Sequence, residues 1–532
     1  MEDRDEMKPK LLIREALGAL PFTAELDWKL LHRDHKINSR FNLESLRECL
    51  PDATAQVMPF IKPAPQAKKV FLFASSHSWI IHTALSGLTL RGLGNNVTLG
   101  FVPYGDYNKP VSKIDLRLQE LYARQVLRGA EPLLEIVPFL ELKPENQLPD
   151  ALSRAVEKVT VFDVQYMLQR EDVNGDEPIY FLRKQRNTDA ARRALAYFKK
   201  HRPDVVIVPN GMIQEYGAVY ETARFLDIPT TTYEFSELDQ HVWLDHNRLV
   251  MLHLTDELWA GRQDRILNDE QRTWLESFLA GREGSKKGNQ FAHLWQKTAR
   301  AGGEMIRSTL GFDERPIVLL PTNVLGDSAT LGRTLFSKSM ADWMESTLRF
   351  FADRSDVQLV IRIHPAETWT KGPSVTEIIR AALPEIPSHI RVIGATEKVN
   401  TYDLMDIADL ALVYTTTAGL EMATRGIPVL VSGLAQYRKK GFTLDADSWE
   451  EYFSVLDHAL KKLPGGHLTP EQIERAWNYT YFYFREYPWP FPWHLEKIRS
   501  DLKERSIAYV LSPEGRLKFE ATFQQLAGSE IK

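Results

Sequence analysis

The densest run of chemistry in this sequence is Val413-Tyr414-Thr415-Thr416-Thr417-Ala418-Gly419-Leu420-Glu421-Met422-Ala423-Thr424-Arg425-Gly426-Ile427-Pro428-Val429. An apolar strand ends at Tyr414, and a helix begins within the next few residues. The first turn of a helix has unpaired N–H groups and a partial positive charge, which suit a diphosphate. Thr415, Thr416 and Thr417 add hydroxyls there, and Gly419 lets a ligand approach the backbone. Glu421, one turn in, cannot favour phosphate but can accept two hydrogen bonds from ribose hydroxyls. Gly426 closes the helix and Pro428 opens the next strand. The structural alternative is that the threonines only cap the helix and Glu421 only complements its dipole.

Other candidates also follow apolar runs. Arg362-Ile363-His364-Pro365-Ala366-Glu367 carries a histidine able to donate to a phosphate or to titrate near neutrality. Arg362 either meets the same ligand or forms a buried ion pair. Asn323 and Asp327, in Pro321-Thr322-Asn323-Val324-Leu325-Gly326-Asp327-Ser328, can hydrogen-bond sugar hydroxyls, although any turn favours these residue types. Arg438, Lys439 and Lys440 form the one notable basic cluster near the threonines, suited to phosphate or to a solvated face. Nearer the N-terminus, Ser75-Ser76-His77, Asn210-Gly211 with Glu215, and Glu234 with Glu237 also follow strands.

These groups need a scaffold, and the hydrophobic pattern supplies one. Short apolar runs alternate with helical stretches, first at Val70–Ala74, Asn96–Val102, Asp204–Val208 and Thr230–Tyr233. The rhythm returns at Ile317–Leu320, Gln358–Ile363, Ile390–Ile393, Asp409–Tyr414 and Pro428–Val431. Strands that are apolar on both faces and separated by helices imply parallel, doubly wound α/β sheets. Ligands bind such sheets at the carboxyl ends of the strands, where all of these candidates fall. The reading divides the chain into an extension over 1–67, a first Rossmann-like domain over 68–290, a second over 291–465 and a helical tail over 466–532. The polar, glycine-rich stretch 280–303 marks the boundary, and the hinge is expected between 280 and 312. Ser448 with Glu451, and Thr469-Pro470 with Gln472, are helix starts. The aromatic cluster from Trp477 to Trp493 reads as packing core in preference to a carbohydrate platform.

Composition narrows the function. The chain has 532 residues, enough for two or three domains, with 66 Lys+Arg against 71 Asp+Glu and a net charge of -5. That balance argues against a nucleic-acid-binding surface. A single cysteine, Cys49, rules out an internal disulfide and reads as a small buried apolar residue. No run approaches the roughly 20 apolar residues of a membrane span, and the charged N-terminus is no secretory signal. The expectation is a cytoplasmic protein without a transmembrane segment, with peripheral membrane or assembly-complex association left open. No metal-ligand spacing occurs, so neither a metal nor a cofactor is expected.

The stretch from Tyr414 to Thr443, including Tyr437-Arg438-Lys439-Lys440-Gly441-Phe442-Thr443, resembles bacterial capsule-polysaccharide synthesis proteins of the GT-B glycosyltransferase superfamily. There a Y/S-T-x-x-G-L-E segment precedes G-x-P-V and then Y-R-x-K-G-F-T. Arg362 to Pro365 is similar to the R-x-H-P element of capsule-synthesis and polyol-phosphate transferases. Asn210–Ile213 through Tyr233–Phe235 is similar to the acceptor half of surface-carbohydrate transferases. The resemblance implies a GT-B fold, two Rossmann-like domains facing across a cleft. It further implies a nucleotide-sugar donor held in the C-terminal half by Asn323, Arg362, His364, Thr415–Thr417, Gly419, Glu421, Arg438 and Lys439. The acceptor it implies is a glycan or glycolipid. An inverting transfer needs a base for the acceptor hydroxyl, and position in the sequence ranks Glu215 first, then Glu234, then His77. Polyol-phosphate transfer, nucleotide-sugar epimerisation and a non-catalytic scaffold are the alternatives.

Overall fold

The computed structural model describes residues 13–31, 41–62, 67–284, 298–370 and 372–529. The strands are β1 (Lys69–Ser75), β2 (Asn96–Val102), β3 (Glu135–Pro138), β4 (Val205–Pro209), β5 (Thr230–Phe235), β6 (His241–His246), β7 (Ile317–Pro321), β8 (Gln358–Arg362), β9 (Ile390–Ile393), β10 (Leu410–Val413), β11 (Val429–Val431), β12 (Leu444–Asp445) and β13 (Trp489–Pro490). They form two sheets, ordered β13-β6-β5-β4-β1-β2-β3 and β12-β11-β10-β7-β8-β9. Five strands of the first sheet and all six of the second are parallel, while β6 and β13 add antiparallel pairs at the first sheet's edge.

Each sheet doubles back on itself beside its first strand. In the first, β1 lies between β2 and β4; in the second, β7 lies between β8 and β10. This arrangement splits the loops to opposite faces and opens a crevice at the carboxyl ends. The central strands are held by apolar burial on both faces: Val70–Ala74 in β1, Val205–Val208 in β4 and Ile317–Leu320 in β7 are all buried. The loop after β7 brings Ser328 of the second half to the cavity at the carboxyl ends of the first sheet, so the halves meet across a cleft, as the resemblance implies for a GT-B fold.

The two ends of the chain complete the first half. Leu46, Leu50 and Val57, on the helix Glu44–Val57, pack into the same core as β1 and the helix His77–Gly92. Phe491, Trp493, Phe519 and Phe523 join that core from the far end of the sequence. The extension and the end of the tail are therefore parts of one packed unit, not appendages. Between them, the helix Pro470–Tyr481 lies against the second half, with a complete capping box from Thr469 and Gln472. Ser448 also caps its helix, but Glu451 returns its bond to Asp447 N–H, one residue earlier than expected. Most of the aromatic cluster is buried, as read. Residues 285–297 of the expected linker lie outside the described residues.

The halves touch closely at residues 165–171. Glu171 accepts from the N–H groups of Met340 (2.7 Å) and Ala341 (2.8 Å), capping a helix of the other half. Gly326 sits at φ +65°, and a Cβ there would meet Gln165 O and, at 2.8 Å, Arg170 N. Both neighbours are backbone and cannot swing aside. Gly326→Ala is expected to loosen this contact. Amide exchange over 165–171 should rise about tenfold or more, with far-UV circular dichroism unchanged.

Candidate active site

The cavity between the halves opens at the carboxyl ends of β1, β2, β4 and β5 and encloses about 800 Å³. That is the size of ordinary small-ligand sites. Trp79, Tyr107, Tyr166, Asn210 and Glu234 line it from the first half, and Ser328 from the second. The β4 turn is strained, because Asn210, Gly211 and Gln214 all have left-handed backbones at φ +57°, +79° and +57°. Two non-glycine residues in that region within five positions need compensation from their surroundings. Asn210 supplies part of it: its Oδ1 accepts from Met212 N–H at 3.1 Å, and its Nδ2 donates to Glu234 Oε2 at 3.3 Å. Gly211 cannot be replaced, since a Cβ would fall 2.5 Å from Thr232 Cγ2.

Glu234 is surrounded by protein on most sides yet open to the cavity. Burial raises its pKa, opposed by the bonds from Phe235 N–H and Asn210. Tyr166 is pushed up to about 12 by desolvation and then by the charges of Asp327 and Glu234, so its hydroxyl feels a carboxylate from each half. Asp327 is itself raised by burial, opposed by Ser328 and by backbone N–H groups.

The other two candidate bases lie elsewhere. Glu215 points into the first half and is fully buried, with Oε1 accepting from Arg183 Nη2 at 2.8 Å. Arg183 Nε donates to Asp163 at 2.6 Å, and Asp163 is buried as well. One turn into a helix was too little information to fix a direction, and Arg183 pulls Glu215 away from the cleft. His77 opens onto a separate cavity with Ser45 and Lys497, and Leu495 and Glu496 form the wall shared with the first. Burial lowers the pKa of His77.

On the opposite side, the strand-end loops of the second half are stitched together. Asn323 Oδ1 accepts from Thr415 N–H at 3.3 Å, across the point where strand order reverses between β7 and β10. Thr415 Oγ1 donates to Ala329 O at 3.0 Å, and Thr322 Oγ1 accepts from His364 N–H at 3.1 Å. Asn323, His364 and Thr415–Thr417 are thus brought into one region. His364 does not titrate near neutrality: desolvation and the Arg362 charge lower it to about 4. Its Nδ1 accepts from Ala366 N–H at 3.1 Å, so the neutral ring carries its proton on Nε2, as a donor.

The remaining candidate residues of the second half have structural partners. Arg362 donates to Gly394 O (2.7 Å) and Val399 O (3.1 Å), holding the loop after β9. Gly419 makes room for Tyr437, whose hydroxyl would collide with a Cβ there and donates to Thr416 O at 2.6 Å. The expected ligand approach at Gly419 is therefore filled by a side chain. Arg438 and Lys439 both bond Asp447, and Lys440 bonds Asp256, so each cation of the cluster already has a carboxylate partner. The helix after the threonines is short, Ala418–Ala423.

Glu421 is buried, and its Oε1 accepts from Arg282 Nε at 2.8 Å. Arg282 also bonds Glu237, in the loop after β5, so it ties the two halves together. Tyr402 bonds the same pair. Ribose hydroxyls reach Glu421 only if Arg282 withdraws. Nothing in the sequence signalled Arg282, which sits in a charged helix, Asp269–Glu283, like many solvated arginines. Among the described residues no cluster of three metal-ligating side chains occurs, and no helix is long and apolar enough to cross a membrane.

Residues 288–462 match the family described as capsule polysaccharide biosynthesis protein. No curated relative matches the chain. Among solved structures, it is similar to Thermosulfurimonas dismutans KpsC, a beta Kdo 2,4 transferase, at 17% identity, 52% of this chain, 79% of that one and a TM-score of 0.34. It is also similar to the UDP-GlcNAc 2-epimerase of Neisseria meningitidis (12% identity, 77% and 97% covered, TM-score 0.28). A calicheamicin glycosyltransferase is similar at 14% identity, with 83% and 100% covered and a TM-score of 0.24. The matched segment contains β7 to β12, and with them the stitched loops.

The Arg183 network tests the placement of Glu215. Arg183→Met strands two buried carboxylates, and the cost should be about 3–5 kcal/mol. A urea midpoint close to that of wild type would show that Glu215 and Asp163 are not held as described.

Proposed function

We propose that the protein is a glycosyltransferase that moves a sugar from a nucleotide-sugar donor to a capsule or surface-polysaccharide acceptor. The observation that carries this reading is the cavity between the halves. Its Glu234 lies at a strand end of the first half, and Ser328, in the loop after β7 of the second half, lines the same cavity. In this reading the donor lies along Asn323, His364 and Thr415–Thr417, with the Nε2–H of His364 donating to a phosphate oxygen. As the ribose docks, its hydroxyls replace Arg282 at Glu421. Arg282, released towards Glu237, stays close enough to offset diphosphate charge.

Glu234 is the proposed base. Its carboxylate takes the proton of the acceptor hydroxyl as that oxygen attacks the anomeric carbon and the nucleoside diphosphate departs. Asn210 holds the carboxylate in place, and the raised pKa makes it a better proton acceptor than an exposed glutamate. Burial that raises this pKa also shifts the acid limb of turnover, because the base works only when ionised. Rates should fall as pH drops through a value above the ordinary carboxylate range.

The direct experiment is a screen of UDP-, GDP-, CMP- and dTDP-sugars with capsular oligosaccharide acceptors. Glu234→Gln should lower kcat by about 10²-fold or more and abolish the acid limb, with donor affinity changed by less than about twofold. Full activity in that variant would remove Glu234 from the reaction. Donor turnover that ignores the acceptor would point to epimerisation. Turnover should also persist in excess EDTA, with Arg282 and His364 meeting the leaving diphosphate; loss of activity restored by magnesium would contradict that.

A further inference from the structure

The charge on the cavity wall is one-sided. Glu234 and Glu496 contribute carboxylates, and no lysine or arginine lines the cavity among the described residues. Two guanidinium groups behind the loop 105–109 are engaged. Arg183 is bound to Asp163 and Glu215, while Arg186 donates to Asp106 O and Lys109 O, both at 2.8 Å. Lys497, on the far side of the shared wall, pairs with Asp239 at 3.6 Å. His494 also lines the cavity, but burial lowers its pKa and it adds no positive charge at neutral pH.

The rest of the lining suits a sugar. Asn108, Asn210 and Gln214 offer amides, and Tyr107 and Tyr166 offer phenols. Trp79 provides a half-buried indole, backed by Phe235 with ring centroids 5.8 Å apart and planes 26° from parallel. An apolar ring face with carboxylates and amides at its rim matches a pyranose, which has C–H groups on its faces and hydroxyls around its edge. The same carboxylates repel an anion, and low-dielectric walls strengthen that repulsion relative to open water.

We infer that this cavity accepts uncharged glycans and rejects those bearing carboxylate or phosphate near the acceptor hydroxyl. The inference rests on reading the cavity as the acceptor site. It also bears on orientation, because a donor diphosphate is kept out of the first half and left to the second.

The test uses the full-length protein and an immobilised panel of oligosaccharides. Uronic-acid oligosaccharides are presented beside their carboxyl-reduced counterparts, which share every linkage and differ only in charge. Neutral members should bind at least about tenfold more tightly than their acidic partners at low salt, with the gap narrowing as salt rises. Glu496→Lys, at an exposed position, should narrow the gap without added salt. Trp79→Ala should weaken neutral binding. Equal or tighter binding of the acidic members, lost in Trp79→Ala, would overturn the charge selection and leave the acceptor reading standing. No binding by any member, or binding indifferent to Trp79→Ala, would overturn both.

Discussion

The cleft depends on the path of the chain's last segment. After the helix Pro470–Tyr481 packs against the second sheet, the chain returns and adds β13 to the edge of the first. Trp489 pairs with Val242 and Pro490 with His241. That pairing, with the core contacts of Phe491, Trp493 and Phe523 behind it, anchors one end of a strap whose other end is fixed on the second half. His494 to Glu496, just beyond, form a wall of the cavity. The same backbone therefore joins the halves and shapes the site.

Electrostatics divides labour across that cleft. The first half keeps its arginines behind the wall, where Arg183 and Arg186 hold the loop 105–109 by its carbonyls. Facing the second half the cations are paired too: Arg282, on the helix that ties the halves together, with buried Glu421, and Arg438 and Lys439 with half-exposed Asp447. Removing one member of a buried pair costs more than the pair itself contributes, so each partner holds the other in place. A ligand that substitutes for one partner meets a preformed counter-charge.

How much of this was legible follows from what sequence can carry. β1, β4, β7, β8, β10 and β11 were readable because strands buried on both faces are continuous apolar runs. β6 and β13 were not, since an edge strand such as His241–His246 mixes charged and aromatic residues and has no period of its own. Strand-end position placed Glu234 at the cavity, where the structure has it, because the carboxyl ends of parallel strands open onto the crevice. The same logic failed for Glu215, where the direction depends on helix rotation and on Arg183, 32 residues away in sequence. It failed again at Gly419, because a glycine shows that something comes close without saying that the neighbour is Tyr437. The resemblance pointed to the strand-end loops of the second half but could not tell which side chains already had partners.

The joining of both ends in one core has a consequence for biosynthesis. On the ribosome, β1 to β6 emerge early, but their sheet lacks its edge partner and part of its apolar filling until residues 489–526 have been made. The second sheet, made later, has all six of its strands by Asp445 and can close while the first is still waiting. The half that leaves the ribosome first is thus the last to finish folding. Until then it exposes the unpaired edge of β6, a ready template for unwanted strand addition.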